Sequence, residues 1–227
     1  TVKAFRTEGQ LLDFILAFSP DLLLVHFANG PFIDGAILPS GIPTLVWVHG
    51  YEALAWTSRI FQFPWRACLP HKFLQRSRSD KSRLAPFKRL VELSNRTGEI
   101  RFLFVSEWMR GKAQSDLNVR FDYFDTVPNP VDTSMFKYRK KEAGDRFNVL
   151  LLRPFHSRKY ANDVAVKAIR HLSRMDNFEQ FRFSINGAGR DFARLTKSLS
   201  SFRNIDLNET FLSHNDIAQL HRQFGIF

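Results

Sequence analysis

The chain has 227 residues, enough for one large domain or two smaller ones with a sizeable core. It carries 33 Lys and Arg against 22 Asp and Glu, a net charge of +11, which favours phosphates, anionic lipid or nucleic acid as partners. A single cysteine, Cys68, excludes an internal disulfide and a Cys-based metal site, and the lack of any run of about 20 apolar residues excludes a spanning helix.

The first ten residues mix charged and polar groups, unlike a signal peptide. Together with the lone cysteine this fits a cytoplasmic chain. Thr1 is not a start residue, and Phe224 to Phe227 reads as the opening of a buried strand. Further elements are therefore expected on both sides.

Taken in order, apolar residues at Leu11, Leu12, Ile15, Leu16 and Phe18 predict a helix over 9–18. Pro20-Asp21 breaks it, and Leu22 to His26 reads as a buried strand. Residues 28–41 suit a loop and short helix, and Pro43 to His49 a second buried strand. Residues 53–82 show no clean period. An amphipathic helix is expected over 84–97, closed by Gly98. Strand 101–105 follows, then a helix capped by Ser106, then strand 122–127 and a turn at Asn129-Pro130.

A charged run over 137–146 (KYRKKEAGDR) interrupts this alternation. The pattern then restarts with strands at 147–152, 181–186 and 204–207 and helices at 161–174, 189–201 and 214–223. Strands alternating with helices imply parallel sheets joined by right-handed crossovers. The chain therefore reads as α/β, with two Rossmann-like domains. The expected division is a first domain over 1–138, a linker over 139–146, and part of a second domain over 147–227.

In such sheets ligands bind at the carboxyl ends of the strands. That rule selects His26, the run His49-Gly50-Tyr51-Glu52, Ser106-Glu107, Arg153, and Gly187-Ala188-Gly189. Arg153 and Lys159 bracket a loop leading into a helix N-terminus, where unpaired N–H groups attract anions. A bidentate Arg and a mobile Lys suit a diphosphate there, although a plain basic surface loop has the same composition. Gly187 and Gly189 allow either close approach to a ligand or a tight turn. His49, at a strand end, could orient or polarise a substrate, or be satisfied by nearby backbone. Glu52 reads as a helix N-terminal charge.

The stretch Trp56 to Arg89 holds nine Lys or Arg against one acid, Asp80. Trp56, Phe61, Phe63, Trp65, Phe73 and Phe87 are interleaved. This mixture suits an anionic membrane surface or nucleic acid, and equally a solvated basic face with its aromatic residues in the core. No P-loop, no nucleophile elbow, no zinc-protease motif and no metal-ligand cluster appears in the sequence.

In order, these pieces resemble the GT-B glycosyltransferases of family 4, also called glycosyl transferases group 1. PDLLLVHF, IPTLVWVHGYE and RFLFVSEWMRGKAQ are similar to strand ends of that family's N-terminal domain. VPNPVDTSMF resembles its N-G-V-D-x-x-x-F signature through Asn129, Val131, Asp132 and Phe136, with Pro130 in place of Gly. NVLLLRPFHSRKYANDVAVKAIRHL resembles the donor-domain opening G-R-x-x-x-x-K-G, with Arg153 and Lys159 matching and Leu152 and Tyr160 replacing the glycines. FRFSINGAGRD and FLSHNDIAQLHRQFGIF resemble the segments that follow.

The resemblance implies a retaining transferase that moves a sugar from a nucleotide-diphosphate sugar to a glycan or lipid-linked acceptor, as in surface polysaccharide synthesis. No obligatory metal and no other cofactor is implied. His49 would lie near the transferred sugar, Arg153 and Lys159 would stabilise the departing diphosphate, and Gly187 and Gly189 would line the nucleotide side. His26, Gly50 and Glu52 would fall on the acceptor side, with 56–89 facing an anionic membrane or lipid-linked acceptor. The family's E-x7-E carboxylates would lie beyond Phe227, so the fragment is expected to be inactive. A non-catalytic nucleotide-sugar binder, a basic nucleic-acid-binding module and an epimerase of the same fold are the alternatives. No recognised nucleic-acid-binding motif supports the second.

Overall fold

The structure is a computed structural model and describes residues 3–62 and 69–227. Residues 3–60 and 69–129 belong to the first compact unit, and Pro130–Phe227 belong to the second.

In the first unit, helix α1 (Glu8–Phe18) starts at Thr7, whose side chain accepts from the Gln10 N–H, and stops at Ser19 in a left-handed conformation. Strand β1 (Leu23–His26) leads into α2 (Gly30–Phe32), a π-helical turn (Ile33–Ile37) and α3 (Leu38–Ser40). Strand β2 (Thr44–Val48), helix α4 (Pro70–Thr97), β3 (Ile100–Phe104), α5 (Glu107–Leu117) and β4 (Phe124–Thr126) complete it. The four strands form one parallel sheet in the order β1-β2-β3-β4.

The alternation of Val46, Val48, Phe102 and Phe104 buries these side chains against Phe87, Leu90, Ala113, Leu117 and Phe121. Phe121 meets Phe102 and Phe104 edge-on, with ring centroids 5.0 and 4.8 Å apart. Such pairs add about 0.5–1.5 kcal/mol each beyond the area they bury.

Helix α4 corrects the sequence reading, for it begins at Pro70 rather than near residue 84. Its first turns carry no apolar stripe because they are largely exposed. Pro86 inside it removes one helical hydrogen bond, and its ring packs against Gly30 instead. The aromatic residues of the basic stretch also divide. Trp56 and Phe87 are core residues at 3% and 1% exposure, whereas Phe73 is 44% exposed. Phe63 and Trp65 lie outside the described residues.

In the second unit, β5 (Asn148–Leu152), α6 (Asn162–Leu172), β6 (Arg182–Asn186), α7 (Phe192–Thr196), β7 (Ile205–Asn208) and α8 (His214–Gln223) alternate. The strands form a parallel sheet in the order β5-β6-β7. Phe155, Phe178, Phe183, Ile185, Val166, Ile169 and Leu199 fill one face. After α8 the chain returns to the free side of β5, where Ile226 bridges Val149 in parallel. The expected strand after α8 thus begins in register, but Ile226 and Phe227 are exposed rather than buried.

The segment expected to be a linker, 139–146, packs on this unit. Lys141 Nζ donates to the carbonyl oxygens of His221, Arg222 and Phe224 (2.7 Å for Phe224), which closes the C-terminal end of α8. A cation there offsets the partial negative charge of the unpaired carbonyls. Arg139 pairs with Asp145 at 2.7 Å, and a 3-10 turn (Ala143–Phe147) delivers the chain to β5.

The signature-like VPNPVDTSMF forms a capped turn. Asp132 Oδ1 accepts from the Ser134 backbone N–H at 2.9 Å and from its hydroxyl at 2.6 Å, and these bonds hold the Asp132 carboxyl below the usual range. The turn sets the Phe136 ring edge-on to His221 at 6.2 Å.

Candidate functional site

At the carboxyl edge of the second sheet, β5 ends at Leu152 and Arg153 follows directly. Beyond it, backbone N–H groups tie the two loops together. Arg153 N donates to Asn186 O (3.2 Å), Phe155 N to Ala188 O (2.9 Å) and Asp191 N to Phe155 O (3.0 Å). Gly187 and Gly189 stand at φ +153° and +146°, in a region that disfavours side chains. A Cβ on Gly187 would fall 2.0 Å from the Arg153 carbonyl oxygen. The small residues therefore serve loop-on-loop packing, a constraint that a bare GxG does not reveal.

The loop then makes a short 3-10 turn (Arg158–Tyr160), capped by Ser157, and enters α6 through Ala161 with no side-chain cap. Three cations sit on this loop. Arg158 pairs with Asp163 at 3.3 Å. Arg153 and Lys159 are exposed, and among the described residues neither has a carboxylate within ion-pair distance. Lys159 Nζ lies 4.8 Å over the Tyr160 ring. Exposed cations without a carboxylate partner, on a loop that leads into a helix N-terminus, are the kind of arrangement that attracts anions. They also lie where the sheet order turns back, with Ile226 on one side of β5 and β6 on the other. Open α/β sheets place ligands at such reversals.

The first unit brings His26 and His49 together. β1 and β2 run in register with His26 opposite Trp47, so the two strand ends adjoin. His26 Nδ1 lies 3.0 Å from His49 Nε2. The His49 ring stacks on Phe27 with centroids 4.3 Å apart, and His26 stacks on Trp47 at 5.4 Å. Gly50 turns the chain at φ +114°.

Glu52 is neither a surface charge nor the start of a helix. It is 4% exposed, and its Oε1 accepts from the His49 backbone N–H at 2.6 Å, while Oε2 is buried without a partner. Its role in the fold is to close the turn that aims His49.

Three residues that the sequence reading did not single out as site residues hold the 50–59 loop. Asp116 accepts from Ala55 N and from Ser58 Oγ, both at 2.8 Å. Asp80 accepts from Trp56 N and pairs with Arg83 at 2.8 Å. Arg83 donates to Leu54 O at 2.7 Å and to Tyr51 O. The one available signal was Asp80, the sole acid in the basic stretch. The guanidinium groups of Arg59 and Arg83 lie 4.8 and 4.7 Å from the centre of the Tyr51 ring. Burial, then the Arg83 charge, hold Arg59 below its usual value.

Ser106 caps α5 by accepting from Met109 N at 3.2 Å. Glu107 is held by the Thr126 hydroxyl and by Arg110, which lower its pKa in that order. These bonds give it a structural partner set of its own. Among the described residues no group of three His, Cys, Asp or Glu could hold a metal ion, and no helix is long and apolar enough to cross a membrane.

No known family model matches this sequence, and no curated protein is similar to it. Solved structures are similar. One is a point mutant of S. aureus TarM in complex with fondaparinux, alpha-GlcNAc-glycerol and UDP. It matches with a TM-score of 0.56 at 12% identity, over 89% of this chain and 36% of that one. Another is S. aureus MnaA with UDP, with a TM-score of 0.49 at 13% identity, over 98% of this chain and 56% of that one. The chain thus spans about a third of the length of the TarM structure and just over half of the MnaA structure. At 12% identity the TarM likeness shows the fold alone. This is an α/β protein of the GT-B class, with two Rossmann-like units.

Proposed function

We propose that the chain carries the acceptor side and part of the donor side of a retaining, nucleotide-sugar-dependent glycosyltransferase. The reaction moves a hexose from a nucleoside-diphosphate sugar to a glycan or lipid-linked acceptor in surface polysaccharide synthesis. The observation that carries the proposal is the pair Arg153 and Lys159, uncompensated at the reversal of the second sheet while the adjacent Arg158 has its own carboxylate. The TarM structure of the same fold holds UDP and alpha-GlcNAc-glycerol, which agrees with this choice of ligand.

In this reading Arg153 and Lys159 neutralise the charge that grows on the diphosphate as the glycosidic bond breaks. Fixed charges placed in this way often contribute more to catalysis than any other single effect. Gly187 and Gly189 keep the loops close enough for backbone N–H groups to reach the nucleotide. His49 contacts the transferred sugar, and His26, Gly50 and Glu52 shape the acceptor side. No metal is required, because the two cations take its electrostatic place.

The basic stretch extends the proposal to peripheral binding at an anionic membrane. The start of α4 exposes Leu69, Phe73 and Leu74 beside the cations Arg78 and Lys81.

Calorimetric titration with UDP, GDP, ADP and pyrophosphate tests the donor site. Binding of a nucleoside diphosphate by the wild type, lost in Arg153→Ala with Lys159→Ala, is expected. Absence of any binding, or an unchanged affinity in the double variant, would overturn the proposal.

A further inference from the structure

The 3.0 Å approach of His26 Nδ1 to His49 Nε2 requires that one ring donate and the other accept, and with both rings neutral the tautomers decide which. A free imidazole favours its proton on Nε2. With both rings in that form, His49 Nε2–H donates to the His26 Nδ1 lone pair, and His26 Nε2–H faces outward on an exposed residue. The reverse bond would force both rings into the less favoured tautomer.

The geometry around the pair is fixed from several sides. Phe27 stacks on His49 at an interplanar angle of 20°, and Trp47 stacks on His26 at 23°. Glu52 Oε1 holds the backbone N–H of His49 itself. His49 Nδ1 has no hydrogen-bond partner among the described residues. Which nitrogen of a histidine carries the proton is set by the bond the other one makes.

We infer that His26 is a positioning residue that locks His49 in the Nε2–H tautomer, so that His49 Nδ1 presents a lone pair and accepts a hydrogen bond from a substrate hydroxyl. The last step rests on the reading of His49 as a sugar-contacting residue. The tautomer does not.

The test uses the protein labelled with 15N-histidine and long-range proton–nitrogen correlation spectra, recorded at a pH high enough to remove imidazolium signals. The wild type is expected to show His49 as a single tautomer, protonated at Nε2 and bare at Nδ1. His26→Phe keeps a flat ring against Trp47 and removes the acceptor. In that variant the two His49 nitrogen shifts should move toward the averaged values of free imidazole. His26→Asn places an amide oxygen near the former Nδ1 and should restore the wild-type pattern. A His49 protonated at Nδ1 in the wild type, or shifts unmoved in His26→Phe, would overturn the inference. The spectra need no ligand, so a failure of nucleotide binding at Arg153 leaves this result intact and the two ideas are judged apart.

Discussion

A Cβ on Gly189 would lie 2.5 Å from the carbonyl carbon of Phe155, closer than two such carbons can stand. Gly189→Ala must therefore push the two carboxyl-edge loops apart, on top of about 1–3 kcal/mol of backbone strain. A lower urea midpoint and weaker UDP binding are expected together. Gly111, in α5 with nothing within 4 Å of its would-be Cβ, is the control. Gly111→Ala should stabilise by about 0.5–1 kcal/mol. Equal behaviour of the two variants would refute the packing argument.

The charges on the 153–159 loop make a selective prediction. A charge-assisted hydrogen bond contributes about 1.5–3 kcal/mol, and each 1.4 kcal/mol is tenfold in affinity. Arg153→Ala should weaken UDP binding by roughly ten- to a hundredfold in calorimetry. Arg158→Ala, at a residue paired with Asp163, should change it little.

Lys141→Met keeps the length of the side chain and removes the donor to three carbonyls at the end of α8. The expected loss is about 1.5 kcal/mol in urea unfolding of the second unit. Lys140→Met, on a neighbouring exposed residue, should leave the midpoint in place.

His221 supplies a pH signature. Burial, and next the Lys141 charge, hold its pKa below the ordinary 6.5. The unfolded chain therefore takes up the proton first. The stability from neutral His221 is complete above that value and declines as pH falls through the window beneath it. Melting temperatures followed from pH 8 downward should drop more steeply for the wild type than for His221→Gln. Asp132 and Glu107 are held below their ordinary 3.8 and 4.5, so their losses begin at lower pH and stay separable.

Membrane association is tested by co-sedimentation with vesicles. A basic residue near an anionic surface contributes about 1 kcal/mol, so Arg78→Ala with Lys81→Ala should lower binding roughly thirtyfold. Equal binding of the wild type to neutral and anionic vesicles would sink the electrostatic reading.

The parallel α/β pattern was legible because buried strands such as TLVWV and NVLLL are short apolar runs bounded by turns, and α1 and α8 repeat at helical spacing. The start of α4 was not, because an exposed helix has no apolar period to read and Pro86 looks like a stop signal. In the candidate site, Arg153 followed from a strand end and Lys159 from the helix start that its loop approaches. The His26–His49 contact did not, because it depends on β1 and β2 being neighbours in register. The bond from Glu52 to the His49 backbone was hidden for a related reason, since only the folded turn brings the two together. Lys141 was one cation among several in KYRKKEAGDR, and nothing local marks the one that meets a helix end.

The return of the chain to Val149 gives β5 a partner on both flanks, whereas β7 has one. A strand enclosed in this way can release its amides to solvent only when a neighbour detaches first, so its openings are rarer than those of an edge. Arg153 directly follows that strand. The guanidinium read as the diphosphate clamp thus hangs from a strand held on both flanks, next to loops that backbone bonds tie to each other.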